Sequence, residues 1–285
     1  MFMRKLGAYV RLMRPVNCIM MGFAVIVGVV LVRGYGGAVL GMNLVYGFVT
    51  GFTLTAASMA INDYYDRQID AVNERHRPIP SGLIKPEAAL VFALGLTVVG
   101  FAAAYFSNAF CFVTAIVAWG VFVLYTTVGK RSGLPGNFLV SLCVTIPFIY
   151  GSVAVTQTVE LNVLLFASMA FLSNTGREIT KGIVDVAGDG AHGVKTLAVR
   201  FGERTAAVAA MSFCVAAVVL SPLPWLLNLV SSWFIPPVVI TDVGLLVSSV
   251  ILLRNHSREN ARKVKKIMLL WFMFGLLAFV LGTVI

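Results

Sequence analysis

Long apolar runs separated by short polar segments dominate the hydrophobic pattern of this 285-residue chain. A helix needs about 20 apolar residues to cross a bilayer, and nine runs approach that length. The predicted spans are 16–33, 39–61, 87–106, 109–128, 136–155, 161–176, 204–227, 235–253 and 267–285. The pattern therefore predicts an all-α integral membrane protein, a bundle of nine transmembrane helices that forms a single domain over residues 1–285.

The connections between these runs alternate in character. Four turns are short and nearly uncharged, at 34–37, 107–108, 156–158 and 228–231, whereas the other connections are long and charged. Of the 22 Lys and Arg residues, all except Arg33 fall in the amino-terminal segment or in the long connections. Because basic loops stay on the cytoplasmic side, we predict a multi-pass protein of the plasma membrane. Its amino terminus and charged loops would be cytoplasmic, and its carboxyl terminus external.

Composition agrees with a membrane protein, since 59% of the residues are hydrophobic and 12% are charged, against roughly 25% charged in soluble domains. The net charge of +10 indicates a surface that faces anionic membrane lipids or an anionic substrate. Nucleic acid is a poor alternative partner, because the basic residues lie in short loops between spans. The four cysteines fall inside apolar runs without metal-ligand spacing, which favours buried thiols.

The most informative polar stretch, 62–70, follows the second apolar run. A helix turns about 100° per residue, so Asp66, Asp70 and Asp63 fall about 40°, 80° and 100° from Asn62. Carboxylates this close repel one another and are costly near lipid unless a cation neutralises them. Ligands that are all oxygen suit a hard cation, Mg²⁺ first. The alternative interpretation is a solvated acidic helix end.

A second polar cluster follows the sixth run. Its members are Asn174, Arg177, Glu178, Lys181, Asp185 and Asp189. On a helix, Glu178 and Asp189 fall about 20° and 40° to one side of Asp185, and Lys181 about 40° to the other. We therefore predict a second polar face on the cytoplasmic side, although three glycines nearby disfavour an unbroken helix.

Two acidic faces flanked by basic residues fit the binding of a magnesium diphosphate, because Mg²⁺ stabilises the negative charge of a departing phosphate group. An apolar bundle offers room for a hydrophobic tail, so the pattern indicates a lipid diphosphate that ionises at a cytoplasmic-side active site. No activated nucleophile is evident, and we expect no covalent intermediate. A cation transporter is the alternative of another class. However, the acids cluster at span ends, and Asp242 is the one acid well inside a predicted span.

The ordered motifs resemble those of the UbiA superfamily of intramembrane prenyltransferases. The first is Asn62-Asp63-x-x-Asp66-x-x-x-Asp70, and the second is Asp185-x-x-x-Asp189. The flanking pieces are Arg14-Pro15-x-Asn17, Arg77-Pro78-Ile79-Pro80-Ser81-Gly82, Tyr125 with Lys130-Arg131, and Gly193-Val194-Lys195-Thr196-Leu197. The ordered set extends from Arg14 to Gly202.

The resemblance implies specific roles for these residues. Mg²⁺ and a prenyl diphosphate donor would be held by Asn62, Asp63, Asp66, Asp70, Asp185 and Asp189. Phosphate oxygens would be bound by Arg14, Asn17, Arg67, Lys130, Lys181 and Lys195. Arg77 and Arg177 are not evidently needed for the donor, and we take them as candidates for the phosphate of the acceptor. Each basic residue has the alternative role of a headgroup anchor, which we assign to the run 262–266. Tyr125 would face the allylic cation, or belong to an interfacial aromatic belt.

Within the superfamily, Arg177-Glu178-Ile179-x-Lys181 resembles the archaeal ether-lipid branch. Its members transfer a geranylgeranyl group from geranylgeranyl diphosphate to an isoprenoid glyceryl phosphate, geranylgeranylglyceryl phosphate. Many members read Lys-Asp-x-Glu-Asp here, whereas this chain reads Lys181-Gly182-Ile183-Val184-Asp185 and lacks two of those acids. An aromatic prenyltransferase of quinone pathways is the alternative within the superfamily.

Overall fold

The computed structural model describes residues 2–32, 40–191 and 193–284. Arg33 and the predicted turn at 34–37 lie outside the described residues. Over the described part, the chain is helical and contains no β-strand. The all-α prediction is therefore confirmed for the part of the chain that the structure describes.

Thirteen α-helices are found among the described residues. They are α1 Phe2–Met13, α2 Pro15–Val30, α3 Leu40–Asn73, α4 Pro86–Ser107, α5 Ala109–Thr127, α6 Leu134–Thr156, α7 Leu161–Val184, α8 Val186–Ala191, α9 Leu197–Phe201, α10 Glu203–Leu220, α11 Leu223–Leu226, α12 Ile235–Arg254 and α13 Arg258–Val284. Single 3-10 turns at Gly129–Arg131 and Ser232–Phe234 precede α6 and α12.

Seven helical segments within the described ranges are long and apolar enough to cross a membrane. They are Gly41–Gln68, Pro86–Ser107, Ala109–Thr127, Leu134–Thr156, Glu203–Leu226, Ser232–Arg254 and Arg258–Val284. The bent pair Lys5–Met13 and Pro15–Val30 makes an eighth if its two helices, which meet at 45°, form one span. α7 falls outside this set because polar residues fill its second half. A multi-pass helical protein is thus confirmed, while the count of nine spans stays a prediction.

The described residues divide into two compact units, each with its own packing. Unit 1 comprises Met1–Val29, Gly36–Phe122 and Tyr150–Thr158. Its α1 and α4 both pack on α3 through small side chains, among them Ala8, Ala57, Ala60, Ala89 and Ala93. A Cβ on Gly100 of α4 would come within 2.8 Å of Leu54 and Thr53 on α3. Small residues at such contacts let helix backbones approach closely, and this packing fixes the helix that carries the first acidic motif.

Unit 2 comprises Val30–Tyr35, Val123–Ile149 and Val159–Ile285. Its core joins α7, α10, α12 and α13 through Ile179, Ile183, Ala206, Ala207, Ala210, Cys214, Leu252 and Met268. Gly176 of α7 lies so close to α10 that an added Cβ would be 2.8 Å from the Cys214 sulfur. This close contact fixes the half of α7 that carries the second polar cluster. The prediction of a single domain over the whole chain stays a prediction.

Candidate active site

The first acidic motif lies in the last three turns of α3, which continues through Asn73. The helix assumed in the sequence analysis is therefore present. The Asn62 amide donates a hydrogen bond of 3.0 Å to Asp66 Oδ2. Asp63 and Asp70 are buried, with 3% and 6% of their surfaces exposed. Burial of two carboxylates is costly unless cations or donors compensate them.

Two arginines from outside α3 compensate these carboxylates. Arg14 Nη2 lies 2.5 Å from Asp63 Oδ1. Arg77 Nη1 lies 2.5 Å from Asp70 Oδ2 and 3.5 Å from Asp63 Oδ1. Arg77 thus bridges the two acids, and the four side chains form an arginine–aspartate cluster. The sequence predicted all four as site residues but not their pairing.

The backbone at Arg14 is unusual. Arg14 separates α1 from α2 and has φ of 54°, in the left-handed region that costs a non-glycine residue about 1–2 kcal/mol. The following Pro15 restricts the position further. This conformation produces the 45° bend between the helices and accompanies the ion pair of Arg14 with Asp63. Strained backbone of this kind is concentrated at functional sites.

Two further predicted residues lie on or near the same helix. Arg67 Nη1 donates a 2.7 Å hydrogen bond to the Tyr64 carbonyl oxygen, and its guanidinium carbon lies 4.4 Å from the centre of the Tyr64 ring. Asn17 is exposed, and its amide nitrogen lies 4.0 Å from the Met59 sulfur. The structure therefore associates Arg67 with Tyr64 rather than with the arginine–aspartate cluster.

The donor set of the first motif fits Mg²⁺ chemically, because it consists of three carboxylates and an amide oxygen on one helix. Asp63 and Asp70 accept from arginines in the structure. Over the described ranges, no group of three or more His, Cys, Asp or Glu side chains is gathered closely enough to hold a metal ion. A metal at this motif would therefore meet the arginines as competitors for the same carboxylates.

The second acidic motif begins where α7 ends. α7 continues to Val184, Asp185 is its C-cap residue, and α8 carries Asp189. The Asp189 amide donates to the Asp185 carbonyl oxygen at 2.8 Å, so the two acids lie one helical turn apart across the break. The predicted polar face is thus carried by two helices, which agrees with the glycines at 182, 188 and 190.

A pocket of about 180 Å³ in unit 2 opens beside this motif. Its lining contains Tyr125, Lys130, Gly133, Gly136, Asn137, Val140, Glu178, Lys181, Gly182, Asp185, Asp189, Val194 and Thr196. The pocket brings together five predicted site residues: Tyr125, Lys130, Lys181, Asp185 and Asp189. Asn137 and the glycines at 133 and 136 are additions that the sequence analysis missed.

Glu178 organises the charged side chains at this pocket. It is largely buried, and its Oε1 and Oε2 lie 3.1 Å from Arg177 Nη1 and 3.3 Å from Lys181 Nζ. Burial lowers the pKa of the Lys181 ammonium, but the carboxylates of Glu178 and Asp185 help to raise this pKa above that of a free lysine. Lys181 is therefore charged at neutral pH. Arg177 Nε also donates to the Lys265 carbonyl oxygen at 3.3 Å.

Two loops are joined at the rim of the pocket. The Lys195 amide donates to the Arg131 carbonyl oxygen at 3.2 Å. Gly133 has φ of +76°, and a Cβ there would collide with the Lys195 carbonyl oxygen. Glycine has no Cβ, so it adopts the positive φ readily and fits beside this oxygen without a clash. The Lys195 side chain is exposed, whereas the neighbouring Val194 and Thr196 line the pocket.

Lys265 of α13 is a charged neighbour that the sequence analysis assigned to membrane orientation. Its ammonium interacts electrostatically with Asp185, Lys181, Arg177 and Glu178. Helical periodicity could have identified Lys265 as a site residue. Ala261, Val264 and Met268 form the buried face of α13, and residue 265 lies next to that face. The exposed Lys263, in contrast, pairs with Glu259 at 2.8 Å.

The model of the UbiA prenyltransferase family matches residues 21–280. The chain belongs to the UbiA prenyltransferase family. Its similarity to digeranylgeranylglyceryl phosphate synthases extends over almost the whole length. This UbiA chain is 38% identical to the enzyme of Methanopyrus kandleri, over 95% of its own length and 97% of the relative's. It is 36% identical to the enzyme of Korarchaeum cryptofilum, over 98% of each. The resemblance drawn from the motifs is therefore confirmed.

Solved structures agree with this assignment. A structure of digeranylgeranylglyceryl phosphate synthase superposes with a TM-score of 0.87 at 31% identity, covering 98% of this UbiA chain and 99% of that one. A UbiA homologue from Archaeoglobus fulgidus, bound to GPP and Mg²⁺, superposes with a TM-score of 0.70 at 18% identity, covering 95% and 99% of the two chains. At that identity the second likeness concerns the fold alone. Family membership favours prenyl transfer over the cation transporter.

Proposed function

We propose that this UbiA prenyltransferase transfers a geranylgeranyl group from geranylgeranyl diphosphate to geranylgeranylglyceryl phosphate in archaeal ether-lipid biosynthesis. The observation that carries the proposal is the full-length similarity to digeranylgeranylglyceryl phosphate synthases of several archaea. In the reaction, the bond between the allylic carbon and the diphosphate oxygen breaks. The hydroxyl oxygen of the acceptor then bonds to that carbon as an ether, and its proton leaves with the diphosphate.

The proposed metal ligands are the oxygen-bearing side chains of the two acidic motifs. In unit 1 they are Asn62, Asp63, Asp66 and Asp70, and in unit 2 they are Asp185 and Asp189. Bound Mg²⁺ would neutralise the charge of the diphosphate and stabilise it as a leaving group. The all-oxygen character of both motifs supports this assignment.

The chain's own cations would hold the phosphate groups. Lys130 and Lys181 line the pocket of unit 2, and their ammonium groups are suited to phosphate oxygens through charge-assisted hydrogen bonds. Tyr125 lines the same pocket, and the face of its ring is suited to the allylic cation that forms when the diphosphate departs. Further candidates from the sequence are Arg14, Asn17, Arg67, Arg77, Arg177 and Lys195.

We also propose that the protein crosses the plasma membrane nine times, with its active site and amino terminus in the cytoplasm and its carboxyl terminus outside. The segregation of the basic residues supports this orientation. With nine spans, α2 and α7 would cross in addition to the seven segments that are apolar and long enough by themselves.

An acceptor comparison tests the proposed reaction. Purified protein would receive labelled geranylgeranyl diphosphate and Mg²⁺ with geranylgeranylglyceryl phosphate, with the same glycerol ether lacking its phosphate, or with hydroxybenzoate. We expect ether product from the phosphorylated acceptor and a large loss of rate without the phosphate. Prenylated hydroxybenzoate as the main product would assign the chain to the aromatic branch instead. A parallel reaction with excess chelator controls for metal dependence, and full activity there would contradict the mechanism.

A further inference from the structure

Two cations of α7 pair with Glu178 in unit 2, and a third basic residue, Lys265 of α13, lies beside Arg177. Arg177 and Lys181 of α7 pair with the two carboxylate oxygens of Glu178 at 3.1 Å and 3.3 Å. Lys265 of α13 joins them in two ways. Its carbonyl oxygen accepts from Arg177 Nε at 3.3 Å, and its ammonium interacts electrostatically with both cations and with the neighbouring acids. We call Arg177, Lys181 and Lys265 the cation cluster.

Lys265 differs from the other basic residues at the start of α13. Lys265 is half-buried, whereas Arg262, Lys263 and Lys266 are exposed. Lys263 has 73% of its side chain exposed and pairs with Glu259 on its own helix, as a surface lysine on a solvated face would. The burial of Lys265 is costly for a cation unless anions compensate it. This placement argues for a role other than contact with the membrane surface.

The charge balance of the cluster indicates its ligand. Arg177 and Lys181 pair with Glu178, and the other neighbouring acid, Asp185, is committed to Mg²⁺ in the proposed function. Glu178 then compensates one of three positive charges, which leaves a local excess of about two. A phosphate monoester carries a charge of about −1.5 to −2 near neutral pH. Its oxygens accept charge-assisted hydrogen bonds from lysine and arginine, and the planar guanidinium of Arg177 suits two parallel bonds.

We propose that the cation cluster binds the phosphate monoester of the acceptor, with Lys265 as a residue that determines specificity for phosphorylated acceptors. Glu178 is then a positioning residue, because it contacts Arg177 and Lys181 rather than the substrate. The inference rests on the proposed function and extends it by naming the residues that recognise the acceptor.

The test compares Lys265→Gln with Lys263→Gln, a matched change on the same helix. Loss of one charge-assisted hydrogen bond should raise KM for geranylgeranylglyceryl phosphate about 10- to 100-fold. KM for the donor and kcat at saturating acceptor should stay unchanged, because the phosphate contact is made equally in the ground and transition states. Lys263→Gln should behave as wild type. Lys265→Arg, which keeps the charge, should recover most of the acceptor affinity and guards against a folding defect in Lys265→Gln.

Further experiments distinguish the phosphate of the acceptor from that of lipid headgroups. In vesicles of neutral lipid alone, the KM effect of Lys265→Gln should persist. If it appears only with added anionic lipid, the cluster serves headgroups and the proposal is wrong. A rise in donor KM instead of acceptor KM would also overturn it. If wild-type protein uses the dephosphorylated acceptor equally well, the proposed function itself fails. If wild type discriminates but the two glutamine variants behave alike, only this inference fails.

Discussion

Removal of the Arg77 charge should lower the stability of unit 1 but raise the affinity of the first acidic motif for Mg²⁺. Arg77 bridges Asp70 and Asp63 at 2.5 Å and 3.5 Å, and both acids are buried. In Arg77→Gln the amide keeps part of the side-chain volume but loses the positive charge. Asp70 then loses the cation that compensates it, while Asp63 keeps its pair with Arg14.

The size of the effect follows from burial. Removal of one partner from a buried ion pair costs about 3–5 kcal/mol. Because 28% of the Arg77 side chain is exposed and Arg14 still serves Asp63, we expect about 2–3 kcal/mol in the free energy of unfolding without metal. The same change removes a cation that repels Mg²⁺ and competes for its ligands. A relief of about 1.4–2.8 kcal/mol corresponds to Mg²⁺ binding about 10- to 100-fold more tightly.

The assay is thermal unfolding of the purified protein across a Mg²⁺ titration without diphosphate. Without metal, the variant should have a lower melting temperature than wild type. The Mg²⁺ concentration that gives half of the maximal stabilisation should fall at least about tenfold. Arg75→Gln is the matched control, because Arg75 is exposed, lies just after α3 and bonds the Ala71 carbonyl oxygen in the last turn of that helix. If Arg77→Gln requires more Mg²⁺ than wild type, Arg77 assists the metal rather than competing with it, and the reasoning is refuted.

Three further outcomes are expected. Asp66→Ala or Asp185→Ala should abolish turnover, measured as release of labelled diphosphate, because each removes a carboxylate from a proposed metal site. Appreciable turnover in either variant would exclude that residue as an essential ligand. Gly133→Ala should lower stability by about 2–4 kcal/mol in chemical unfolding, from positive φ and overlap with the Lys195 carbonyl oxygen. Gly193→Ala, with φ of +69° and open space around its Cβ, should show the smaller cost of positive φ alone. A reporter fused after Ile285 should read external, and a cytoplasmic reading would contradict nine spans.

Much of the helical layout could be predicted from sequence because hydrophobic runs are long and local. The same is true of the first motif, whose acids share a face of α3 through the helical period alone. The contacts that could not be predicted are those that join distant parts of the chain. The pair of Arg14 with Asp63 spans 49 residues, and the contact of Arg177 with α13 spans 88.

Lys265 is the clearest example of a site residue that the charge pattern of the sequence alone could not identify. In sequence it is one of six basic residues after the eighth predicted span, and charge alone cannot distinguish it from Lys263. Its burial depends on which face of α13 packs against the other helices of unit 2, and that choice is made by Ala261, Val264 and Met268. The positive φ of Gly133 could not be predicted from the sequence either, because many of the described glycines have ordinary backbone angles.

The 88 residues between Arg177 and Lys265 also set an order of events while the protein is being made. At a synthesis rate of about 5–20 residues per second, α7 emerges roughly 4–18 s before the part of α13 that it contacts. During that interval Glu178 is already available to Arg177 and Lys181, since all three belong to one helix. The carbonyl oxygen that orients Arg177 Nε does not yet exist. The cation cluster can therefore be completed only after the last helix has been synthesised, so a nascent chain that stalls within α12 would lack Lys265.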